Sequence, residues 1–258
     1  MSKIILIGSG NVAWHFGPAL RKAGHTFLQV YGRNKTSVKA LAKKIEADVC
    51  VDIDKLNPKA DLYIIALHDE AIKDFLDTMN VRDKTIVHTS GSVSLDVFKN
   101  KFSSYGVIYP VMTFSTRRKL KMKTVPFCIE AGDHSTYKKL KRITQTISRH
   151  VFQLSSEQRA VLHLSAVFAN NFSNFMMVIA EELMKKKEMD FDMLRPLIAE
   201  TAAKVQENLP HEMQTGPAKR GDAEIIEKHL EMLLSEPFFH ELYRLISKGI
   251  SEKSGMLI

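Results

Sequence analysis

The residues with the clearest chemical signature lie near the start of the chain, in Gly-Ser-Gly-Asn-Val-Ala at positions 8–13. In this GxGxxA spacing, Gly8 permits a tight turn, Gly10 lets a pyrophosphate approach the backbone, and Ala13 allows the following helix to pack closely. The free N–H groups and the dipole of that helix attract an anion. Such glycines also mark ordinary strand-to-helix turns, but an apolar strand before the motif and a helix after it favour dinucleotide binding. The predicted cofactor-binding residues of the motif are Gly8, Ser9, Gly10, Asn11 and Val12.

A basic turn follows the second predicted strand, residues 26–31, and contains Arg33 and Asn34. Folds that bind NAD usually place an Asp or Glu at this point, where it accepts hydrogen bonds from the ribose hydroxyls. This sequence has no such acid, and Arg33 can bind a 2′-phosphate in bidentate fashion or stack on the adenine. The alternative is an ordinary basic turn before a helix. We therefore expect NADP(H) as the cofactor, with Arg33 and Asn34 among the residues that bind it.

Two further predicted strands, residues 61–67 and 85–87, end in residues that could face a ligand. In open α/β sheets, ligands lie beyond the carboxyl ends of the strands. Leu67, His68 and Ser90 are therefore predicted to lie beside the cofactor, and Ser90 is also a catalytic candidate. His88 is predicted to contact the substrate. His68 also suits a turn or capping residue, and for His88 and Ser90 a structural role explains the sequence as well as a functional one does.

A long helix is predicted over residues 156–187, with Ser156 as its N-cap. It is apolar on nearly every side, which predicts a buried helix at the centre of a bundle. Because His163, Asn170 and Asn174 follow one another at intervals of seven and four, a rotation of about 100° per residue places each asparagine within roughly 20° of His163. This polar stripe either satisfies itself and the neighbouring backbone or lines a pocket.

His163 is the candidate general acid or base on this stripe, because the ordinary pKa of histidine, about 6.5, suits proton transfer at neutral pH. Asn170 would orient His163 or the substrate, and Asn174 would contact the substrate.

A loop late in the chain, residues 214–222, holds Lys219 and Arg220 between two glycines. It presents positive charge, so these two side chains would hold an anionic group on the substrate. The same loop also fits a turn followed by a helix that Asp222 caps.

Strand patterns alternate with helical patterns as far as residues 151–154, and no strand pattern follows residue 155. Residues 1–154 are therefore predicted to form an α/β dinucleotide-binding domain with a mostly parallel, doubly wound sheet. Residues 155–258 would form an all-α domain for substrate binding and dimerisation. Since the long apolar helix needs more cover than the residues after it provide, we expect a homodimer formed through the helical domain.

The chain has 258 residues, of which 45% are hydrophobic, enough for a full core. Its formal charge of +8 comes from lysines scattered over predicted helix faces, without the basic stripe and interleaved aromatics typical of nucleic-acid-binding proteins. No signal-peptide pattern precedes the first strand, and no apolar run approaches membrane-spanning length. We expect a cytoplasmic protein that binds neither nucleic acid nor membrane and holds no metal.

Five segments of the chain resemble those of known proteins: GSGNVA at 8–13, HTSGS at 88–92, YPVMTFS at 109–115, AVFANNF at 166–172 and TGPAKRGD at 215–222. Through them the chain resembles a superfamily of NADP-linked reductases that includes pyrroline-5-carboxylate reductase, 6-phosphogluconate dehydrogenase and the deazaflavin-dependent NADP oxidoreductases. It resembles more closely the bacterial Rossmann-like proteins that carry a C-terminal domain of unknown function. The resemblance covers nearly the whole chain.

This resemblance implies an N-terminal Rossmann domain, an all-α C-terminal domain like that of 6-phosphogluconate dehydrogenase, and dimerisation through the helical domains. It implies no known substrate. Relatives usually carry His where this sequence has Tyr109, so the role of that histidine does not transfer. The hydroxyacid dehydrogenases of the superfamily carry a catalytic Lys on the corresponding helix with an Asn one turn later, whereas this sequence has His163 and Val167.

The residues and the resemblance together predict an NADP-dependent oxidoreductase that acts on a small anionic substrate in the cleft between two domains. Because the superfamily's lysine is missing, an alternative stays open: a dinucleotide-binding sensor or partner protein without turnover.

Overall fold

The computed structural model describes residues 1–81 and 83–255. The chain divides into two compact units. We call the first, residues 1–171, the sheet unit, and the second, which begins at Phe172, the helical unit.

A single sheet forms the centre of the sheet unit. Its strands within the described residues are β1 (Lys3–Ile7), β2 (Thr26–Tyr31), β3 (Asp48–Cys50), β4 (Leu62–Ile65), β5 (Thr85–His88), β6 (Ser104–Pro110), β7 (Phe127–Ala131) and β8 (Val151–Gln153). They lie side by side in the order β3-β2-β1-β4-β5-β6-β7-β8, and the neighbouring strands are parallel except for β6 and β7. The first part of this order, 3-2-1-4-5, is that of doubly wound dinucleotide-binding folds. The predicted mostly parallel α/β fold is confirmed.

Helices connect the strands and build the rest of the chain. Those of the described residues are α1 (Asn11–Lys22), α2 (Lys35–Ile45), α3 (Asp69–Thr78), α4 (His134–Gln145), α5 (Ser156–Ala166), α6 (Ser173–Lys185), α7 (Arg195–Glu207), α8 (Pro217–Arg220), α9 (Ala223–Met232) and α10 (Pro237–Lys253). Short 3-10 helices lie at Ile53–Lys55, Leu95–Phe98, Met122–Thr124 and Phe191–Leu194, and a π-helical segment lies at Val167–Phe172.

The sheet carries a separate apolar core on each face, because successive side chains of a strand point to opposite sides. Ile4 and Leu6 of β1 pack with the buried faces of α1, α2 and α4. Ile5 and Ile7 pack with α3 and with Phe98 on the other face. This double burial explains why β1 is a continuous apolar run, and it leaves the strand ends as the places where polar side chains meet.

The predicted long helix is a succession of α5, the π-helical segment and α6. Its N-cap is Ser155 and not Ser156: the hydroxyl of Ser155 accepts the N–H of Gln158, and the side chain of Gln158 accepts the N–H of Ser155. This capping box satisfies two backbone donors at once. Ser156 is thereby left for another contact, described below.

Apolar side chains lie exposed along this helix and throughout the helical unit. The prediction that the helix is buried on nearly every side is therefore wrong for the single chain. No helix within the described residues is long and apolar enough to cross a membrane. The exposed apolar residues from α5 onward include Val161, Leu164, Phe175, Leu183, Met193, Leu197, Val205, Leu209, Met232, Leu234, Phe238, Leu245 and Ile246.

Candidate functional site

The turn between β1 and α1 leaves open space in front of its backbone. Gly8 has a φ of +105°, and a Cβ there would lie 2.2 Å from the carbonyl oxygen of Ala66. A Cβ on Gly10, in contrast, would meet nothing within 4 Å. Gly10 is the N-cap residue of α1 and offers no side-chain cap, so first-turn N–H groups face outward without a side-chain acceptor. The residues present therefore fit the pyrophosphate of a dinucleotide.

Asn34 stabilises the basic turn after β2. Its side chain accepts the N–H of Ser37 at 3.1 Å and caps α2. The hydroxyls of Ser9 and Ser37 lie 2.8 Å apart, which links this turn to the one after β1. Arg33 is exposed, and the described residues contain no ion-pair partner for its guanidinium. Asn34 thus supports the turn, whereas Arg33 is available to an external anion.

One acid lies near this turn, on the neighbouring strand. Asp52 follows β3, in which Cys50 lies opposite Tyr31 of β2. The carboxylate of Asp52 contacts the ammonium of Lys55 at 3.2 Å and accepts the N–H of Asp54 at 3.1 Å. These two hydrogen bonds, that of Lys55 foremost, lower the pKa of Asp52. The carboxylate of Asp52 is therefore already paired with Lys55.

The segments after β4 and β5 meet at the same edge of the sheet. Leu67 is half-buried, and its Cδ2 would lie 3.5 Å from a Cβ on Gly8. His68 is exposed and is the N-cap residue of α3, although its side chain makes no capping hydrogen bond. The hydroxyl of Ser92 donates to the carboxylate of Asp69 in the first turn of that helix. This contact ties the two segments together.

His88 ends β5 as a buried, neutral side chain. Its ring stacks on Phe98 with centroids 5.4 Å apart, and its Nδ1 accepts the N–H of Ser90 at 3.2 Å. Burial, reinforced by the nearby guanidinium of Arg159, lowers the pKa of His88 to about 3. Its Nε2 has no hydrogen-bond partner in the described part of the chain. The ring therefore lies in the core, and not at the surface where the predicted contact with a substrate would place it.

A buried arginine holds the turn at Ser90 and Gly91. The Oγ of Ser90 accepts the N–H groups of Ser92, at 3.1 Å, and Val93, at 3.0 Å. Arg159 is 1% exposed, and its Nη1 donates to the carbonyl oxygens of Ser90, at 3.1 Å, and Gly91, at 3.0 Å. The hydroxyl oxygen of Ser90 is thus bonded within the turn, and its carbonyl oxygen is bonded by Arg159.

The same arginine connects this turn to β7 and to the first turn of α5. Its Nη2 donates to Oε2 of Glu130 at 3.0 Å and to Oγ of Ser156 at 3.1 Å. Glu130 also accepts the N–H and the hydroxyl of Ser156, at 2.9 and 2.8 Å. Because a buried charge is stable only when it is paired and hydrogen-bonded, the ion pair of Arg159 and Glu130 fixes α5 against the end of β5.

His163 lies one turn after Arg159 on α5 and packs against the same turn. A Cβ on Gly91 would lie 2.7 Å from Nδ1 of His163 and 2.8 Å from Cζ of Tyr109, so a larger residue here must displace both rings. The Nδ1 atom lies 3.2 Å from the hydroxyl of Tyr109, a buried residue of β6. Burial raises the pKa of Tyr109. The sheet unit thus places a half-buried histidine beside the carboxyl ends of β5 and β6.

The two asparagines predicted to accompany His163 lie on the surface. Asn170 is exposed in the π-helical segment, and Asn174 is exposed on α6. A π-helix bonds residue i to i+5, so the angular spacing of an α-helix does not continue through it. The prediction that the three side chains form one α-helical stripe is therefore wrong.

The predicted anion-binding loop forms α8 in the helical unit. Arg220 is paired with the carboxylate of Asp222 at 2.7 Å, and that side chain does not cap α9. Lys219 is half-buried, and the described residues provide no ion-pair partner for it. Residues 215–218 border a cavity of about 300 Å³ that apolar side chains of α6 and α10 line. Lys219 is thus the free cation of this segment within the described chain.

Three residues that build the site around His163 are absent from the sequence-based predictions: Tyr109, Glu130 and Arg159. The four-residue interval between Arg159 and His163 is one signal that could have found the arginine, because it places both side chains on one face of α5. Tyr109 begins the YPVMTFS segment that carries part of the resemblance, but its contact with His163 and the contacts of Glu130 depend on the order of β5, β6 and β7 in the sheet.

Comparisons with known proteins agree with this architecture. The family model described as NADP oxidoreductase, coenzyme F420-dependent, matches residues 3–91, and that of a domain of unknown function, DUF2520, matches residues 125–250. A crystal structure from Bacteroides fragilis, described as that of a "putative NADP oxidoreductase", is 43% identical with a TM-score of 0.92, and the alignment covers 97% of this chain and 98% of that one. The chain belongs to the same family as this Bacteroides fragilis protein. The resemblance to Rossmann-like proteins with a C-terminal domain of unknown function is confirmed.

More distant structures share the fold. The 1-pyrroline-5-carboxylate reductase of Streptococcus pyogenes is 12% identical with a TM-score of 0.65, over 97% of this chain and 98% of that one. The imine reductase of Myxococcus stipitatus, solved in complex with NADP+, is 13% identical with a TM-score of 0.64, over 97% of this chain and 92% of that one. A comparison with curated proteins gave no match. These distant structures thus share the fold of this chain.

Proposed function

We propose that the protein is an NADP-dependent oxidoreductase that acts on a small anionic substrate. The observation that carries the proposal is the turn between β1 and α1, where a Cβ on Gly10 would meet nothing within 4 Å in front of an uncapped helix. Backbone N–H groups and a helix dipole that face open space form an anion site. A pyrophosphate placed there would lie at the edge where parallel strands end, the edge that also carries Gly91 with His163 packed against it.

Arg33 supports NADP(H) as the cofactor over NAD(H). Its guanidinium is exposed and unpaired in the described residues, and the adjacent Asn34 fixes the turn that carries it. The neighbouring carboxylate of Asp52 is paired with Lys55, so it is not positioned as a free acceptor for ribose hydroxyls. A 2′-phosphate would add a charge-assisted contact with Arg33.

The bound cofactor would supply the hydride chemistry, and the protein would supply position and a proton. His163 is the proton donor or acceptor that we propose, because it is half-buried at the edge where the strands end and its ring is held by Tyr109 and Gly91. Ser90 would act by shaping the turn, since both its oxygens bond within the turn or to Arg159. Lys219, unpaired in the described residues, is the side chain that we propose to bind the substrate's anionic group.

We also propose that two copies of the chain associate through their helical units. The large apolar side chains exposed on α7 and α10, such as Leu197 and Leu245, support this. A stable interface between proteins buries about 1,600 Å² in total, and its core is apolar. Monomers rarely expose large apolar patches, so exposed apolar side chains on these helices favour an interface.

NADPH binding tests the cofactor site directly. In a fluorescence or calorimetric titration, the protein should bind NADPH, and Gly10→Val should weaken binding by about tenfold or more, because its side chain would occupy the space left for the pyrophosphate. Gly249→Ala is the matched control: its Cβ also meets nothing within 4 Å, but it lies in α10. The control should bind NADPH like the parent protein. Failure of the parent to bind NADPH would reject the proposed function.

His163→Asn tests the proposed chemistry. A screen of ketones, imines and aldehydes that carry a carboxylate or phosphate, followed by NADPH consumption, should find a substrate. Turnover of that substrate should then fall by about 10²–10⁴ in His163→Asn, with NADPH binding retained. His211→Asn, which changes an exposed histidine of the helical unit, is the control and should keep full turnover. A folded His163→Asn protein with full activity would exclude His163, and NADPH binding without any turnover would favour a sensor or partner protein.

A further inference from the structure

We propose that Tyr109 is a positioning residue that fixes the tautomer of His163, so that Nδ1 accepts a hydrogen bond and Nε2 carries the proton. The two side chains come from β6 and α5 and meet over Gly91. The catalytic meaning of this tautomer rests on the proposed oxidoreductase function, since the tautomer decides which ring atom presents a proton to the substrate.

The hydroxyl of Tyr109 has one hydrogen to donate, and among the described residues the acceptor for it is Nδ1 of His163. Tyr109 packs with the apolar side chains of Val107, Cys128 and Leu162, and its oxygen lies 3.2 Å from Nδ1 of His163. Within the described residues, this is the hydrogen bond that the hydroxyl makes. If Nδ1 carried the proton, the hydroxyl hydrogen of a side chain only 8% exposed would lose its acceptor, which costs free energy.

Packing keeps the two rings together. Their centroids lie 6.0 Å apart, and their planes cross at 73°. Gly91 lies so close to both rings that a Cβ would clash with Nδ1 of His163. Arg159 donates a 3.0 Å hydrogen bond to the carbonyl oxygen of Gly91 and so fixes its position. The ring of His163 is thus held by its neighbours, and the Tyr109 hydroxyl selects which nitrogen is protonated.

The other ring nitrogen is free to act on a ligand. Among the described residues, Nε2 of His163 has no hydrogen-bond partner, and it is not one of the buried polar atoms that lack a partner. An Nε2–H group in this position is a hydrogen-bond donor that is open to solvent. It suits a carbonyl oxygen or an imine nitrogen, both of which accept one hydrogen bond before they take up a proton.

The chain contains a second pair of the same chemistry, which provides a control. In the helical unit, Nδ1 of His229 lies 2.8 Å from the hydroxyl of Tyr243, with the ring planes at 83°. Tyr243→Phe therefore removes the same hydroxyl from a different histidine.

The tautomer can be read from long-range ¹H–¹⁵N correlation spectra of the histidine rings in the full chain, at a pH about two units above the ordinary histidine pKa. The signals of His163 are those that disappear in His163→Asn. In the parent protein they should show the Nε2–H tautomer. In Tyr109→Phe the ratio of Nε2–H to Nδ1–H should fall by about fivefold, the effect of one neutral hydrogen bond. Tyr243→Phe should shift the signals of His229 and leave those of His163 unchanged.

Two results would overturn the proposal: a parent spectrum with Nδ1–H on His163, or a tautomer ratio that Tyr109→Phe does not change. Should Tyr109→Phe fail to fold, Gly91→Ala gives the same test, because its Cβ must push the rings of Tyr109 and His163 apart. It should also lower the ratio. NADPH titration of the parent separates the two ideas: absence of NADPH binding rejects the oxidoreductase function, whereas the tautomer is judged from the spectra alone.

Discussion

The sheet unit and the helical unit differ in how far their apolar and charged side chains are buried. In the sheet unit, residues 4–7 of β1 and all of β4 are buried, and the charge of Arg159 is buried and paired. In the helical unit, large apolar side chains lie exposed on α7 and α10, and the ion pairs, such as that of Arg244 with Glu241, lie in solvent. Apart from α5, the sheet unit thus covers its large apolar side chains more completely than the helical unit does.

Assembly is expected to show the largest effect. Light scattering at micromolar concentration should give about twice the chain mass of 29.2 kDa. Leu197→Lys with Leu245→Lys should return the mass to that of one chain, because both place a charge on exposed apolar surface of the helical unit. Lys228→Gln, an exposed polar change on α9, should not alter the mass. A parent protein that is monomeric would remove the contrast between the units.

The ion pairs should show the next largest effect. Arg159→Met leaves the carboxylate of Glu130 without its partner and should lower the free energy of unfolding by about 3–5 kcal/mol. Arg244→Met breaks an ion pair of the helical unit whose partners are both more than half exposed, and it should cause no measurable change. Urea denaturation of both variants measures the difference. Equal losses would mean that the burial of Arg159 does not determine its contribution.

Cofactor preference should show the smallest effect. Arg33→Ala should reduce the preference for NADPH over NADH by roughly tenfold, the loss of one charge-assisted contact. Lys219→Ala removes the unpaired cation of α8 in the helical unit and should leave the preference unchanged. Parallel titrations with the two cofactors decide this. Equal affinity for NADPH and NADH in the parent protein would contradict the role of Arg33.

The sequence predicts the sheet unit well because its evidence is local. The run Ile4–Ile7 followed by Gly8 and Gly10 specifies a buried strand, a turn and a helix within a few residues, and the structure has β1 and α1 there. The site around His163 could be predicted only in part. Its other members reach it from β6 and β7, and no local pattern states that these strands lie beside β5.

The errors on the long helix have a different cause. The predicted polar stripe requires an α-helical period over residues 156–187, whereas the π-helical segment Val167–Phe172 interrupts that period between His163 and Asn174. Composition predicts that a helix apolar on nearly every side is buried, but it does not specify whether the same chain covers that helix.

The contacts of Arg159 also set the order in which the site can form. This side chain bonds carbonyl groups that lie 69 and 68 positions earlier in the chain, so the contact closes a long loop. Contacts between distant residues form late, since the loop-closure entropy must be met first. During synthesis from the N-terminus, every strand of the sheet leaves the ribosome before Arg159 and His163 do. A nascent chain can therefore form the turn between β1 and α1 before it contains His163, so the surroundings of His163 form after that turn.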